Sequence, residues 1–215
     1  RVAGVSPVRR DRGGDRGTVT EPELTDAVAA IRRGDLVVYP TETVYGLGAD
    51  ALDPEAIERV FEAKARSRDR PLSMALSEPS AAADYARMTE RERSFCERFL
   101  PGPVTVLLER TDRVPDVLVA GRDRVGIRVP DHAIARELVR RTGPITATSA
   151  NRSGAGSARR IESIDPSIRE RAVVVDGGET PGTESTVVNV ETATVVRRGA
   201  LADEIETWLS DRSQR

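Results

Sequence analysis

The sequence predicts an α/β fold, a single domain with a twisted, mixed β-sheet flanked by helices. Three observations predict it. Short apolar runs of strand length alternate with amphipathic segments of helical period through most of the chain. The end is richer in strand, with residues 173–175, 186–190 and 194–196 following in close order, so the sheet is mixed. No internal repeat and no linker interrupts residues 20–210, and 215 residues are accommodated by one large domain.

The elements follow in order. Residues 1–17 hold five arginines and four glycines and little else, and are read as a disordered leader to a domain at 18–212. Thr20-Glu21-Pro22-Glu23 has the form of a capping box with proline in the first turn. Its helix runs through Ala27, Ala30 and Ile31 and stops near Gly34. Leu36-Val37-Val38-Tyr39 is a short buried strand ended by Pro40. Asp53-Pro54 caps a second helix with Ile57, Val60 and Phe61 on its inner face. Residues 72–76 form a strand, and helices follow at 79–87 and 89–99, the second opened by Thr89-Glu90-Arg91-Glu92. Residues 104–108 and 125–129 are strands, and Asp131 caps a helix to about Arg141. Residues 145–148 form a strand that runs into a Ser/Asn/Gly loop, and a last helix takes in Ile205, Trp208 and Leu209.

Composition excludes several classes of function. Aromatic residues are 3% of the chain, so the core rests on Val, Leu, Ile and Ala. The balance of 33 basic against 35 acidic residues, net −2, gives no global attraction to nucleic acid, and an anion site must be a local patch. A single cysteine, Cys96, excludes an internal disulfide and a multi-cysteine metal site. A single histidine, His132, leaves no metal constellation and no Ser-His-Asp triad. No apolar run reaches the ~18 residues of a membrane span and no signal-peptide pattern opens the chain, so the protein is read as cytoplasmic, without a membrane partner.

Two segments carry chemistry. Of the 33 basic residues only Lys64 is a lysine, and Arg66, Arg68 and Arg70 crowd beside it at the end of a helix. A compact ammonium and a planar guanidinium are not interchangeable, and such a cluster suits phosphate or carboxylate. The second segment is Tyr39-Pro40-Thr41-Glu42-Thr43-Val44-Tyr45-Gly46-Leu47-Gly48. It follows a buried strand, where ligands of open α/β sheets sit. Thr41 and Thr43 offer hydroxyls, and Gly46 and Gly48 offer close backbone approach. The spacing matches neither a P-loop nor a dinucleotide fingerprint.

Pro40 to Gly48 strongly resembles the signature of the YrdC-like threonylcarbamoyl-AMP synthase family. Further blocks match in order: Ala63-Lys64-Ala65-Arg66 with Pro71-Leu72, Pro101-Gly102-Pro103-Val104-Thr105, Val125 through Pro130, and Ser149-Ala150-Asn151. Asp176-Gly177-Gly178, Glu184-Ser185-Thr186-Val187 and Arg197-Arg198-Gly199 complete the series. Ser67 and Thr148 replace frequent prolines, and Ala75 stands where some members carry histidine. The resemblance implies a YrdC-like fold, here a single domain without the extra C-terminal domain of longer members.

It also implies an activity: synthesis of threonylcarbamoyl-adenylate and pyrophosphate from L-threonine, bicarbonate or CO2, and ATP, for N6-threonylcarbamoyladenosine modification of tRNA. Both reacting partners are anionic, so catalysis is mostly charge neutralisation and positioning, with Mg2+ entering alongside ATP and no protein-only metal site. By resemblance, Lys64 and Arg66 are the catalytic cations on the triphosphate. Arg124, Ser149, Ser157 and Arg197 complete the ATP site. Thr41, Arg128 and Ser185 contact threonine, Arg128 clamping its carboxylate. The expected partners are these substrates, a downstream tRNA-modifying transferase complex, and a weak tRNA or RNA contact. Two alternatives stand beside this reading: an RNA-binding module of the same fold, and a carbamoyltransferase-like domain that handles carbamoyl-adenylate.

Overall fold

The computed structural model describes residues 19–211. The arginine-rich leader expected at 1–17 lies outside the described residues. The strands are β1 (Leu36–Tyr39), β2 (Gly46–Gly48), β3 (Ser73–Ala75), β4 (Ala86–Arg87), β5 (Val104–Arg110), β6 (Arg124–Arg128), β7 (Ile145–Ser149), β8 (Ala172–Val174), β9 (Thr186–Asn189) and β10 (Thr194–Arg197). The helices are α1 (Glu21–Arg32), α2 (Pro54–Lys64), α3 (Glu90–Phe99), α4 (Asp116–Val119), α5 (Ala133–Thr142), α6 (Pro166–Arg169) and α7 (Ala202–Ser210).

The strands join in the order β10-β9-β5-β6-β3-β7-β2-β1-β8, with β4 paired to β5 off this path. The pairs β1/β8, β3/β6 and β5/β9 are parallel. The others are antiparallel. The sheet is therefore mixed, as the sequence predicts.

Local chemistry starts the longer helices where expected. Thr20 and Glu23 close a reciprocal capping box on α1, and Thr89 and Glu92 do the same on α3. Asp53 caps α2 ahead of Pro54.

Strand alternation sorts side chains onto two faces. Met74, Val104, Val106, Leu108, Val125 and Ile127 enter a large core shared with α2, α3, α4, α6 and α7. Val37, Tyr39, Ala75, Ile145 and Val175 enter a second core under α1 and α5. These two helices cover only one end of their face. Next to them, Ser73, Thr105, Leu107, Gly126, Ala147, Ser149 and Val187 line an open cavity. Among the described residues no helix is long and apolar enough to cross a membrane.

Three expectations are corrected. The helix expected over 79–87 is a 3-10 turn at Pro79–Asp84 followed by β4. Pairing of Ala86 with Arg110 and of Arg87 with Glu109 draws that segment into the sheet, and tertiary pairing overrides an alanine-rich stretch. Asp131 does not cap α5: the helix begins at Ala133 after His132, which makes no side-chain cap bond. Gly46 and Gly48 belong to a strand, and what they admit is Tyr39 rather than a ligand. A Cβ on Gly46 would meet Tyr39 Cζ at 2.7 Å, and one on Gly48 would meet Tyr39 Cε1 at 3.0 Å.

Candidate functional site

The open stretch of sheet forms a cavity of about 570 Å³. Its floor follows from strand alternation: Thr105 and Leu107 on β5, Ser73 on β3 and Gly126 on β6 project to the side that α1 and α5 leave bare. Gly126 makes room there, since a Cβ would lie 2.6 Å from Ser73 Oγ and 3.1 Å from Thr105 Cγ2. The walls are Val44, Arg66, Pro71 and Leu72 with Arg122 to Arg124, and Thr148 and Ser149 with Glu184, Ser185, Val196 and Arg197.

Arginines set the charge of the walls, and each is aimed by backbone or carboxylate acceptors. Arg66 leaves α2 after Ala65, a left-handed C-cap. Its Nε donates to Arg70 O at 3.0 Å and its Nη2 to Pro71 O at 2.9 Å. Burial lowers its pKa, and the neighbouring Arg70 and Arg197 add to the effect. Arg197 sits on the edge strand β10. It donates from Nε and Nη2 to Ser185 O and, at 3.0 Å, from Nη2 to Ser185 Oγ. Arg124 donates to Leu107 O at 3.1 Å. Its charge is countered by Glu92 at 3.6 Å and by Glu191, on the side away from the floor.

Arg128 is more buried than Arg124 or Arg197. Its side chain is only 12% exposed. Nη2 donates to Thr43 Oγ1 at 2.6 Å and to Glu42 Oε1 at 3.1 Å. Its Nε is buried without a hydrogen-bond partner, as is Glu42 Oε2. Such atoms are expensive to leave unmet, and a site that awaits a ligand is one reason to carry them.

The Thr41 turn lies directly behind. Thr41 is 5% exposed. Its hydroxyl donates to Val44 O at 2.6 Å and accepts from Thr43 N and Val44 N. A hydroxyl has one hydrogen. Thr43 must therefore be the donor in the 2.9 Å contact between the two threonine oxygens. Thr43 Oγ1 is then left as a pure acceptor for Arg128, which can only donate.

Lys64 is likewise behind the wall, 1% exposed. Its ammonium donates to the carbonyls of Ser149 and, at 2.6 Å, Asn151. Its own carbonyl accepts from Ser153 N at 2.9 Å. The last turn of α2 is thus stapled to the Ser149–Asn151 loop. Burial pulls the ammonium down to about 7, helped by Arg66 and Arg70 and opposed by Glu184.

Of the nine residues singled out in the sequence, Arg66, Arg124, Arg128, Ser149, Ser185 and Arg197 line one cavity. Thr41, Lys64 and Ser157 stand outside its lining: the first two are buried against backbone carbonyls, and Ser157 donates to Glu184. The hydroxyl that the sequence offers at Thr43 accepts from Arg128, and the sequence leaves the partners of Glu42 and Glu184 undefined. Ser73 and Thr105 were missed. Their signal was present as polar residues at alternate positions of otherwise apolar strands.

The Sua5/YciO/YrdC family model, described as telomere recombination, matches residues 29–199. A threonylcarbamoyl-AMP synthase of Bacillus subtilis is 34% identical, over 94% of this chain and 63% of its own length. Another from Pyrococcus abyssi is 40% identical, over 81% of this chain and 53% of its own length. The crystal structure of P. abyssi Sua5 complexed with L-threonine matches with a TM-score of 0.82 at 37% identity, covering 90% of this chain and 59% of that one. The chain thus spans between 53% and 63% of the length of these curated relatives.

Proposed function

Because the chain belongs to the Sua5/YciO/YrdC family, we propose that it is a nucleotidyltransferase making threonylcarbamoyl-AMP and pyrophosphate from L-threonine, bicarbonate or CO2, and ATP. The observation that carries this reading is the gathering of six expected ligand residues, from five separate stretches of chain, around one cavity. Its volume of about 570 Å³ falls in the range that holds nucleotide-sized ligands.

In the reaction, the threonine nitrogen bonds to the carbon of CO2 and releases a proton to solvent, or bonds to the carbon of bicarbonate with loss of water, giving a carbamate. A carbamate oxygen then bonds to the α-phosphorus while the bond to the β-phosphate oxygen breaks, and pyrophosphate leaves. Both reactants are anions, so the work of the protein is to neutralise and align. Arg128, with its Nη2 held by Thr43 and Glu42, receives the amino-acid carboxylate. Ser185, beside Thr105, completes that end. Arg66, Arg197 and Ser149 face the nucleotide, and Arg124 forms the wall beyond. Thr41 and Lys64 serve from behind, through the turn and the loop that they hold.

Among the described residues no group of three His, Cys, Asp or Glu side chains stands together as a metal cage. A Mg2+ entering with ATP would take its ligands chiefly from the triphosphate. When bound, it neutralises phosphate charge. The product is a labile mixed anhydride, consumed in the cytoplasm by a tRNA-modifying transferase.

The test is incubation with ATP, Mg2+, bicarbonate and threonine, with pyrophosphate and the adenylate followed by mass spectrometry. A threonine-dependent adenylate is expected. Its absence overturns the reading in favour of an RNA-binding module or a carbamoyl-adenylate-handling domain.

A further inference from the structure

Two acidic side chains, Asp123 and Glu184, stand among the cations of the cavity. Glu184 lines the cavity wall. One carboxylate oxygen accepts from Ser157 Oγ, and the other lies 3.2 Å from Arg197 Nη1. The charge of Glu184 also acts on the Lys64 ammonium. Two residues that the resemblance assigns to the ATP site, Ser157 and Arg197, therefore address one carboxylate.

The backbone of Glu184 is fixed. Its carbonyl accepts from Ala200 N at 2.9 Å, and Gly199 packs so close that a Cβ there would lie 2.3 Å from that oxygen. The side chain is 40% exposed and can swing from this fixed base.

We propose that the Glu184 carboxylate is an internal stand-in for a nucleotide phosphate, keeping Ser157 and Arg197 aimed at the phosphate position until nucleotide displaces it. The proposal rests on the nucleotide reading given above. A carboxylate offers two anionic oxygens to the same donors that a phosphate would use. Without it, Ser157 Oγ and Arg197 Nη1 would lose the acceptor they share, while Arg197 Nε and Nη2 stay bonded to Ser185. With it, an incoming anion must outcompete a carboxylate tethered in place. A single phosphate group competes poorly, while a triphosphate reaches further cations and wins. After the reaction, the returning carboxylate favours departure of the phosphate product.

Calorimetric titration with ATP, in EDTA and in Mg2+, tests this on the wild-type chain, Glu184→Gln and Asp123→Asn. Glutamine keeps the shape and the acceptor oxygen but removes the competing charge. Asp123→Asn removes the same charge elsewhere on the cavity lining. Glu184→Gln is expected to tighten Mg2+-free ATP by about 2- to 5-fold, the range of a part-exposed ion pair, and Asp123→Asn to tighten it less. Unchanged or weaker binding by Glu184→Gln overturns the proposal, as does equal tightening by Asp123→Asn. Weakening confined to Mg2+ also overturns it, by making Glu184 an ion ligand. If neither the wild type nor a variant binds ATP, the nucleotide reading itself has failed and the proposal goes with it.

Discussion

Replacing Thr43 with valine removes one oxygen and almost no volume, and the direction of the bonds around it makes the outcome definite. Thr43 Oγ1 accepts from Arg128 at 2.6 Å and gives its hydrogen to Thr41. A hydrogen bond to a charged group contributes about 1.5–3 kcal/mol. Glu42 still holds the same nitrogen at 3.1 Å, so the lower end applies. About 1.5 kcal/mol corresponds to roughly a tenfold change. The loss should appear as a weaker grip on the amino-acid carboxylate, since Arg128 is the group set free to tilt. Threonine affinity by calorimetry and the threonine KM for pyrophosphate release are the measurements. Thr43→Val is expected to raise the threonine Kd and the threonine KM by roughly tenfold and to leave ATP affinity nearly unchanged. Thr43→Ser keeps the hydroxyl and should restore threonine binding. Wild-type threonine affinity in the valine variant would refute the reasoning. Equal damage in the serine variant would too, because the methyl group would then be what matters.

Three further outcomes follow from Lys64 and Gly126. The folded Lys64 ammonium, at about 7 against 10.5 when free, holds its proton less well than the unfolded chain does across that window, so wild-type stability relative to Lys64→Met should rise from about pH 7 to about pH 10.5. Urea unfolding across that range checks this, and a pH-independent difference would contradict it; Lys64→Arg should lose activity by about tenfold or more, because a planar fork does not fit between the two carbonyls. Gly126→Ala places a Cβ against Ser73 and Thr105 on the cavity floor. Overpacking of this kind costs about 1–3 kcal/mol, and a urea midpoint equal to the wild type would show that the floor gives way freely.

What could be read in advance divides by the range of the interaction. The capping boxes at Thr20 and Thr89 and the cap at Asp53 are made by residues two or three apart, and the chain states them locally. The segment over 79–87 was misread because its fate is decided by β5, with Ala86 pairing to Arg110 across the sheet. The site divides in the same way. Arg66, Arg128 and Ser149 were identified through family motifs, without any view of what they touch. The acceptors of Arg128 lie 85 and 86 residues away, and the carbonyls under Lys64 lie 85 and 87 away. No local pattern reports such pairings. They also make Lys64, which the resemblance puts on the triphosphate, a buried staple between α2 and the Ser149–Asn151 loop.

The cavity is assembled from stretches of chain running from Val44 to Arg197, and its floor strands β3, β5, β6 and β9 are neighbours in space but not in sequence. No fragment short of nearly the whole domain holds both ends of the site. Occupancy and folding are therefore one equilibrium seen from two sides: a ligand at a hundred times its dissociation constant adds about 2.7 kcal/mol to the stability of every element at once. A destabilising change far from the cavity, in α7 or under α1, that leaves the dissociation constant alone will then lower the melting temperature of the empty protein while substrate still adds the same increment.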